Sequence, residues 1–268
     1  MKRRKRRRKS KAKVISRLKP IHNSSRPHVS VVIPVMNERR TIARVIAEAA
    51  KVHRETEVIV VANGSRDGTE QIALRMGAKV IHYEEPLGHD VGRTIGVKKA
   101  QGEVILFTDG DVIISAADLI PLVRTIDKGA DVALNKYLGP TNKQNVHPVI
   151  LSKHAVNIML SRSDLKGVSM TTIPHALSRR AVDLIGPENL SVPPLAHSIA
   201  IHKGLRVLEA HYIDVGRKNP RKRKKKNGTD PLERLIIGDH LEAIHWLTAA
   251  MNSRGNFPDL ARDRKRVR

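Results

Sequence analysis

The strongest constraint on this chain is the alternation of short strand-like runs with helix-like segments in its first half. Strands are predicted at Val29–Ile33, Val58–Val61, Lys79–His82 and Glu103–Phe107, and Pro34 is expected to end the first of them. The segments between these runs carry apolar residues at three-and-four spacing, which is typical of amphipathic helices. We therefore expect an α/β fold, with a mostly parallel sheet flanked by helices.

Two of the predicted helices have clear start signals. Ser115, with Asp118 three residues later, forms a capping box, and Asp230 followed by Pro231 and Glu233 favours a helix start at that point. The helices are expected at about 42–52, 72–76, 90–100, 115–127, 147–160, 179–185 and 230–251, and a late strand is expected at 206–210.

The basic residues in excess lie in three segments rather than in the body of the chain. Residues 1–19 hold 12 Lys and Arg, residues 217–226 hold 8, and residues 262–268 hold 5 beside one Asp, so these segments account for the whole net charge of +24. Blocks of like charge repel and resist burial, so we expect them to be mobile. The predicted organisation is a disordered basic arm at 1–27, a main domain at 28–215, a basic loop at 216–229, a helix at 230–252 and a basic tail at 253–268.

Composition removes several classes of function. The chain has no cysteine, which excludes disulfides, thiol catalysis and thiolate metal sites. No apolar run approaches the roughly 20 residues that a membrane span needs, and the basic N-terminus is not followed by the apolar segment of a signal peptide. We expect a soluble protein of the cytoplasm.

A pair of aspartates follows the fourth predicted strand. Asp109 and Asp111 flank Gly110, and the polar clusters Asn37-Glu38 and Asn63-Gly64-Ser65 follow two other predicted strands. The carboxyl ends of parallel strands share one edge of a sheet, where ligands bind. Two carboxylates at such an edge suit Mg²⁺ or Mn²⁺ beside substrate phosphates. A solvated Asp-Gly turn is the alternative that the dipeptide alone leaves open.

Three motifs together resemble those of a known family. The segments VSVVIPVMNE, VIVVANGSRDGT and PLGHDVGRTIGVKKAQGEVILFTDGD are similar, in order and spacing, to the motifs of family 2 glycosyltransferases, and the resemblance covers about residues 29–112. It implies a GT-A (Rossmann-like) fold with a helical C-terminal extension, a nucleotide-binding half at about 28–135 and an acceptor half at about 136–215.

The resemblance also implies roles for individual residues. A nucleotide-diphosphate sugar would bind one group of side chains, and Asp109 and Asp111 would hold Mg²⁺ or Mn²⁺. Some members add a late histidine as a third metal ligand, and His211 is the candidate here. The implied nucleotide-sugar-binding residues are Pro34, Val35, Asn37, Glu38, Asn63, Gly64, Ser65, Asp67, Gly88, Arg93, Asp109 and Gly110.

The chain departs from the family pattern at three places. Asn63 replaces an acid that contacts the nucleobase in many members, and Thr94 stands where Asn is common. Inverting members carry an acidic base in the second half, but residues 191–197 read SVPPLAH. Three readings stay open: His197 as the catalytic base, retention of configuration as in the distantly similar glucosyl-3-phosphoglycerate synthases, or loss of activity.

The resulting hypothesis is a non-processive hexosyltransferase-type enzyme. The Gln-x-x-Arg-Trp motif of processive synthases is absent, which favours transfer of a single sugar. A lipid-linked or an anionic acceptor is compatible with this hypothesis. The basic segments are compatible with contact with an anionic membrane surface, with a solvated arm, or with nucleic acid, although only 6 aromatic residues are present for base stacking. The alternative function is an inactive GT-A-like protein that binds nucleic acid or another polyanion through these segments.

Overall fold

A seven-stranded sheet organises the protein, in a computed structural model that describes residues 18–141, 144–218, 230–263 and 266. The strands are β1 Val29–Val35, β2 Thr56–Asn63, β3 Lys79–Tyr83, β4 Val104–Phe107, β5 Val132–Asn135, β6 His175–Ser178 and β7 Val207–His211. The helices are α1 Ile42–Ala49, α2 Thr69–Arg75, α3 Val91–Lys99, α4 Ala116–Asp127, α5 Pro148–Met159, α6 Arg179–Ile185, α7 Pro193–His202, α8 Val215–Lys218 and α9 Pro231–Ala250, with 3₁₀ turns at Ser163–Leu165 and Pro187–Ser191.

The strand order is β3-β2-β1-β4-β6-β5-β7. β1 pairs in parallel with β2 and β4, β2 with β3, and β5 with β7, whereas β6 runs antiparallel to both of its neighbours. Helices pack on both faces over two large apolar clusters. The expected mostly parallel, helix-flanked sheet with a C-terminal helix is confirmed.

Pro34 does not end β1, contrary to the prediction. The strand continues to Val35 and pairs with β2 as far as Ala62. β1 pairs with β4 only as far as Val32, whose carbonyl accepts from the Thr108 amide. The nitrogen of Pro34 faces the same side as that carbonyl, where β4 has already ended, so its missing N–H removes no ladder hydrogen bond.

Elements in the second half were missed for local reasons. β5 and β6 have four residues each, too few to show a period. α7 begins with Pro193-Pro194, which looks like a break in sequence but lies in the first turn, where proline is tolerated. The Ser115 cap of α4 and the Asp230 cap of α9 are confirmed.

The structure corrects the boundary predicted for the basic arm at 1–27. The Ile21 amide donates to the Met76 carbonyl at 2.8 Å, and the Asn23 side chain bonds Gly77 and the Val58 amide at 2.8 and 2.7 Å. This stretch is therefore part of the folded body. The arm's residues 1–17, the basic-loop residues 219–229 and the tail residues 264, 265, 267 and 268 lie outside the described residues.

Close packing of α3 on β1 carries the start of α3 to the edge of the sheet. A Cβ at Gly96 would lie 2.3 Å from Cγ1 of Val32, and one at Gly92 would lie 3.0 Å from Cβ of Pro34. Only glycine lets the helix approach this closely. Across the ranges described here, no helix is both long and apolar enough to cross a bilayer.

We expect Gly96→Ala to destabilise the protein by about 1–3 kcal/mol, because the added methyl group overpacks the contact with Val32. Gly238→Ala is the matched control, since no heavy atom lies within 4 Å of a Cβ at that position in α9. Gly238→Ala should raise the unfolding free energy by about 0.4–1 kcal/mol. Urea unfolding of the two variants measures both effects, and equal unfolding free energies would contradict the packing argument.

Candidate functional site

Two loops at the carboxyl ends of β1 and β2 are bonded to each other. The Asn37 amide donates to Oγ of Ser65 at 3.1 Å, and Oδ1 of Asn37 accepts from the Arg66 amide at 2.9 Å. Oδ2 of Asp67 accepts from the Arg39 amide at 3.1 Å. Although burial alone would raise the pKa of Asp67, hydrogen bonds from Thr69 and from Arg39 lower it. The structure thus brings together the two stretches predicted to wall the nucleoside.

Asn63 holds the next loop instead of pointing at an open pocket. Its Nδ2 donates to the Gly88 carbonyl at 3.0 Å and its Oδ1 accepts from the Leu87 amide at 2.6 Å. The residue is only 8% exposed. A carboxylate could not donate to Gly88, so the amide that replaces the family's acid has a structural role here.

Gly64 and Gly110 allow the loops to approach other parts of the chain closely. A Cβ at Gly64 would lie 2.8 Å from Cγ of Pro86, and one at Gly110 would lie 2.4 Å from Cγ1 of Val35. Gly110 therefore fixes the backbone between Asp109 and Asp111 against the end of β1.

A cleft of about 310 Å³ opens beside this edge. Arg93 and Asp109 are the predicted donor-site residues that line it, between loops of the sheet edge and the first turns of α9. Its walls are formed by His89, Asp90, Arg93, Asp109, Val112, Ile114, Tyr137, Thr171, Thr172, Ile173, Pro193, Pro194, Val215, Gly216, Leu232, Ile236 and Asp239.

Arg93 is a buried cation with unpaired hydrogen-bond donors among the described residues. It is 4% exposed, and its Nη2 lies 2.9 Å from Oδ1 of Asp90 and 3.7 Å from Oδ1 of Asp109. Its Nε and Nη1 have no hydrogen-bond partner among the described residues. The guanidinium also sits in the first turn of α3, where the helix dipole already favours an anion.

Asp109 faces the cleft with an altered affinity for protons. The protein around the carboxyl raises its pKa to about 6 by desolvation, and the charges of Asp90 and Asp111 add to this, while Arg93 opposes it. The side chain is 42% exposed, because the cleft admits water to a group that protein otherwise surrounds. The charged carboxylate is therefore less favoured here than in a fully solvated aspartate.

The residues present fit a divalent cation. Asp109 and Asp111 are close enough for Asp111 to raise the pKa of Asp109, although Asp111 does not line the cleft. Within the described ranges no group of three His, Cys, Asp or Glu could hold a metal. Mg²⁺ and similar cations typically use one or two carboxylates and take other ligands from substrate phosphates, so two aspartates suffice.

The geometry does not support His197 as the catalytic base. The residue is fully buried in α7, and its Nε2 bonds Oδ1 of Asn157 at 2.9 Å. Burial lowers the pKa of His197 to about 3, and the residue does not line the cleft. A base must reach the acceptor hydroxyl.

His211 is placed beside α4. Its Nε2 lies 3.5 Å from Oδ1 of Asp118, whose other oxygen bonds Lys218 at 3.0 Å. Among the described residues, no group of three His, Cys, Asp or Glu side chains that could hold a metal includes His211. Its assignment as a third metal ligand therefore has no support from the geometry.

Sequence reasoning missed Asp239, which α9 carries into the cleft. Burial raises its pKa to about 6, and Asp90 and Glu242 contribute in the same direction. It can therefore accept a proton near neutral pH. A signal was available, because Asp239 continues the three-and-four spacing of Leu232 and Ile236 on one helix face, and all three line the cleft.

Thr94, the second departure from the family pattern, joins α3 to the acceptor half. Its hydroxyl donates to the Pro187 carbonyl at 2.8 Å. This contact connects the helix that carries Arg93 with the 3₁₀ turn that precedes α7.

Solved structures share this fold. Glucosyl-3-phosphoglycerate synthase from Mycobacterium tuberculosis in complex with UDP superposes with a TM-score of 0.60 at 20% identity, over 88% of this chain and 82% of that one. A complex of the same enzyme with Mn²⁺, UDP and glucosyl-3-phosphoglycerate gives a TM-score of 0.58 at 21% identity, with the same coverage.

Curated sequences give closer but shorter matches. An uncharacterised glycosyltransferase of Mycobacterium bovis is 34% identical over 108 residues, 40% of this chain and 48% of that protein. Undecaprenyl-phosphate 4-deoxy-4-formamido-L-arabinose transferase of Pseudomonas syringae is 26% identical over 190 residues, 65% of this chain and 55% of that protein. The chain spans about half the length of these relatives.

The family model described as glycosyl transferase family 2 matches residues 30–183, which is more than half of the chain. It covers the three motifs and strands β1 to β6 apart from Val29, and it includes the Asp109-Gly110-Asp111 turn. The protein belongs to glycosyl transferase family 2.

Proposed function

We propose that the protein transfers a single sugar from a nucleotide-diphosphate sugar to an anionic or lipid-linked acceptor, with Mn²⁺ or Mg²⁺ at Asp109 and Asp111. Asn37 and Ser65 would contribute to the nucleoside pocket, and Arg93 would contact the diphosphate. The cleft between Asp109 and α9 would hold the sugar and the acceptor.

The arrangement of Arg93 beside Asp109 carries this proposal. A guanidinium that is buried with two nitrogens unpartnered among the described residues is costly unless an anion completes its hydrogen bonds. A diphosphate supplies oxygens for those donors, and the planar guanidinium suits phosphate oxygens. The 3.7 Å separation from Asp109 supports a shared site, because a diphosphate bound by Arg93 would lie close to the proposed cation-binding carboxylate.

The roles of the side chains follow from their charges. Arg93 would orient the diphosphate and stabilise the negative charge that develops on it as its bond to the sugar breaks. The carboxylates of Asp109 and Asp111 would hold the cation, and Gly110 keeps their backbone against β1. A bound Mn²⁺ or Mg²⁺ supplies Lewis-acid stabilisation of the leaving diphosphate.

The acceptor class rests on relatives and on charge. One relative is an undecaprenyl-phosphate sugar transferase, and a second, from Haloferax volcanii, is a dolichyl-phosphate hexose transferase that is 32% identical over 39% of this chain and 45% of that protein. The basic segments 1–19 and 217–226 would attract an anionic membrane surface from the cytoplasmic side.

The alternative of an inactive binder of nucleic acid or another polyanion has no observation in its favour. It depends on basic segments that lie mostly outside the described residues. The 3.7 Å approach of Arg93 to Asp109 in the cleft supports donor binding instead.

We expect UDP to raise the melting temperature only when Mn²⁺ is present, because the cation joins the diphosphate to Asp109. Ligand at about 100 times its Kd adds about 2.7 kcal/mol to the unfolding free energy. Asp109→Asn should abolish this response, and Arg93→Lys should weaken it. Asp183→Asn, at an exposed position in α6, is the matched control and should respond as the native chain does. The proposal would be overturned if UDP raised the melting temperature equally with and without Mn²⁺, and equally in the native chain and in Asp109→Asn.

The pKa of Asp109 gives a second expectation, with a defined sign. The pKa rises from 3.8 to about 6 on folding, so the contribution of the protonated form is complete below about pH 4 and is lost as pH rises through about 6. Asp109→Asn should therefore melt higher than the native chain at pH 7.5. The difference should be roughly 2–4 °C for each kcal/mol by which the charged carboxylate lowers the unfolding free energy of the native chain, once that energy is reduced for solvent screening.

The difference between Asp109→Asn and the native chain should vanish near pH 4, where the native carboxyl is protonated. Saturating Mn²⁺ at pH 7.5 should reverse the order, because only the native chain binds the cation. Melting curves at the two pH values measure this, and a difference that does not change with pH would refute the electrostatic origin.

A further inference from the structure

A buried lysine lies behind the part of the cleft wall that Thr172 forms. Lys153 in α5 is 5% exposed, and its Nζ donates to Oγ1 of Thr172 at 2.6 Å. Thr172 is itself a cleft-lining residue. The ammonium therefore reaches the cleft through one threonine hydroxyl.

This ammonium has no acidic partner within the described ranges. The titratable groups on which its charge acts are His154, His197 and His240, and it lowers the pKa of each. Burial lowers the pKa of Lys153 itself to about 8, which leaves it mostly protonated at neutral pH. A buried charge without a counter-charge is expensive for a fold to keep, so an anion bound nearby would offset this cost.

The direction of the hydrogen bonds suits an anion. An ammonium only donates, so Oγ1 of Thr172 is the acceptor and its own hydrogen is left free to donate. The neighbouring Oγ1 of Thr171 is buried and has no partner in the part of the chain that the structure describes. Two residues that line the cleft thus carry hydroxyls with hydrogen-bonding capacity to spare among the described residues, and one of these hydroxyls is polarised by a cation.

Strand pairing sets this wall beside the cation-binding turn. Phe107 at the end of β4 is paired with His175 at the start of the antiparallel β6. The segment before β6, with Thr171 and Thr172, therefore leaves the sheet at the same edge as the segment after β4, with Asp109. All three residues line the one cleft.

We propose that Thr171 and Thr172, with Lys153 behind them, form a phosphate-binding site for the acceptor. This inference deepens the proposed function, and it rests on that function only in calling the bound molecule the acceptor. The binding of phosphate at these hydroxyls does not depend on the proposed function. Lys153 acts here as a positioning residue that polarises Thr172 and supplies the counter-charge.

Lys153→Met tests the proposal, because methionine fills a similar volume without charge. Inorganic phosphate should raise the melting temperature of the native chain. In Lys153→Met the apparent Kd for phosphate should rise about tenfold or more, the loss expected when a charge-assisted hydrogen bond is removed. Thr171→Val and Thr172→Val should also raise this Kd. Without phosphate, Lys153→Met should melt at or above the native temperature, since a charge without counter-charge has been removed.

Lys51→Met is the matched control, because Lys51 is exposed and pairs with Glu48 away from the cleft. It should keep the native response to phosphate. Every variant retains the basic segments, so phosphate held there contributes equally to all. A phosphate response in Lys153→Met equal to that in Lys51→Met would overturn the proposal, as would a lower melting temperature of Lys153→Met with its phosphate response intact, which would mark Lys153 as purely structural.

Two probes distinguish the source of the phosphate. Glycerol 3-phosphate in solution represents a small acceptor, and a polyisoprenyl phosphate in detergent micelles represents a lipid. The probe whose binding depends on Lys153 identifies the class, and independence of both from Lys153 would count against the site. The UDP and Mn²⁺ response should survive in Lys153→Met. If the native chain showed no response to UDP and Mn²⁺ while its phosphate binding still depended on Lys153, the proposed function would be wrong but the phosphate site would stand.

Discussion

The pairing of β4 with strands of opposite direction on its two sides is the constraint on which the site depends. β1 runs parallel to β4, so the segments after both strands leave the sheet at one edge. β6 runs antiparallel, so the segment before it arrives at that same edge. The turn that bears Asp109 and Asp111 and the segment that bears Thr171 and Thr172 are therefore neighbours because of backbone pairing, before any side chain is considered.

Buried charge divides the cleft into two regions. Arg93 lies beside Asp109 near the end of β4, and two of its nitrogens have no hydrogen-bond partner among the described residues. In the part of the chain that the structure describes, Lys153 bonds the Thr172 hydroxyl and has no acidic partner. Such groups reduce the stability of the empty fold, and ligands of opposite charge recover it. Nucleotide, cation and acceptor binding would then each increase the stability of the protein.

The first half of the molecule was predictable from sequence because its determinants are local. Buried strands show as apolar runs, and the turn Asp109-Gly110-Asp111 is contiguous in the chain. The acceptor half was not, since β5 and β6 are too short to show a period and Lys153 meets Thr172 only in three dimensions. Asp239 was missed because an acid in an amphipathic helix looks like a solvated residue until the packing of the helix is known. His197 and His211 were singled out by residue type, which says nothing about burial or partners.

The position of α9 has a consequence for how such a protein can diversify. This helix borders the cleft with Leu232, Ile236 and Asp239, and it packs on α5 and α7 through Leu247 in a small apolar cluster and through Ala243 in one of the large clusters. The proposed donor site, in contrast, is formed by loops at the carboxyl ends of strands and by the start of α3. If the proposed function holds, substitutions in α9 would alter the choice of acceptor without touching the residues that contact the nucleotide.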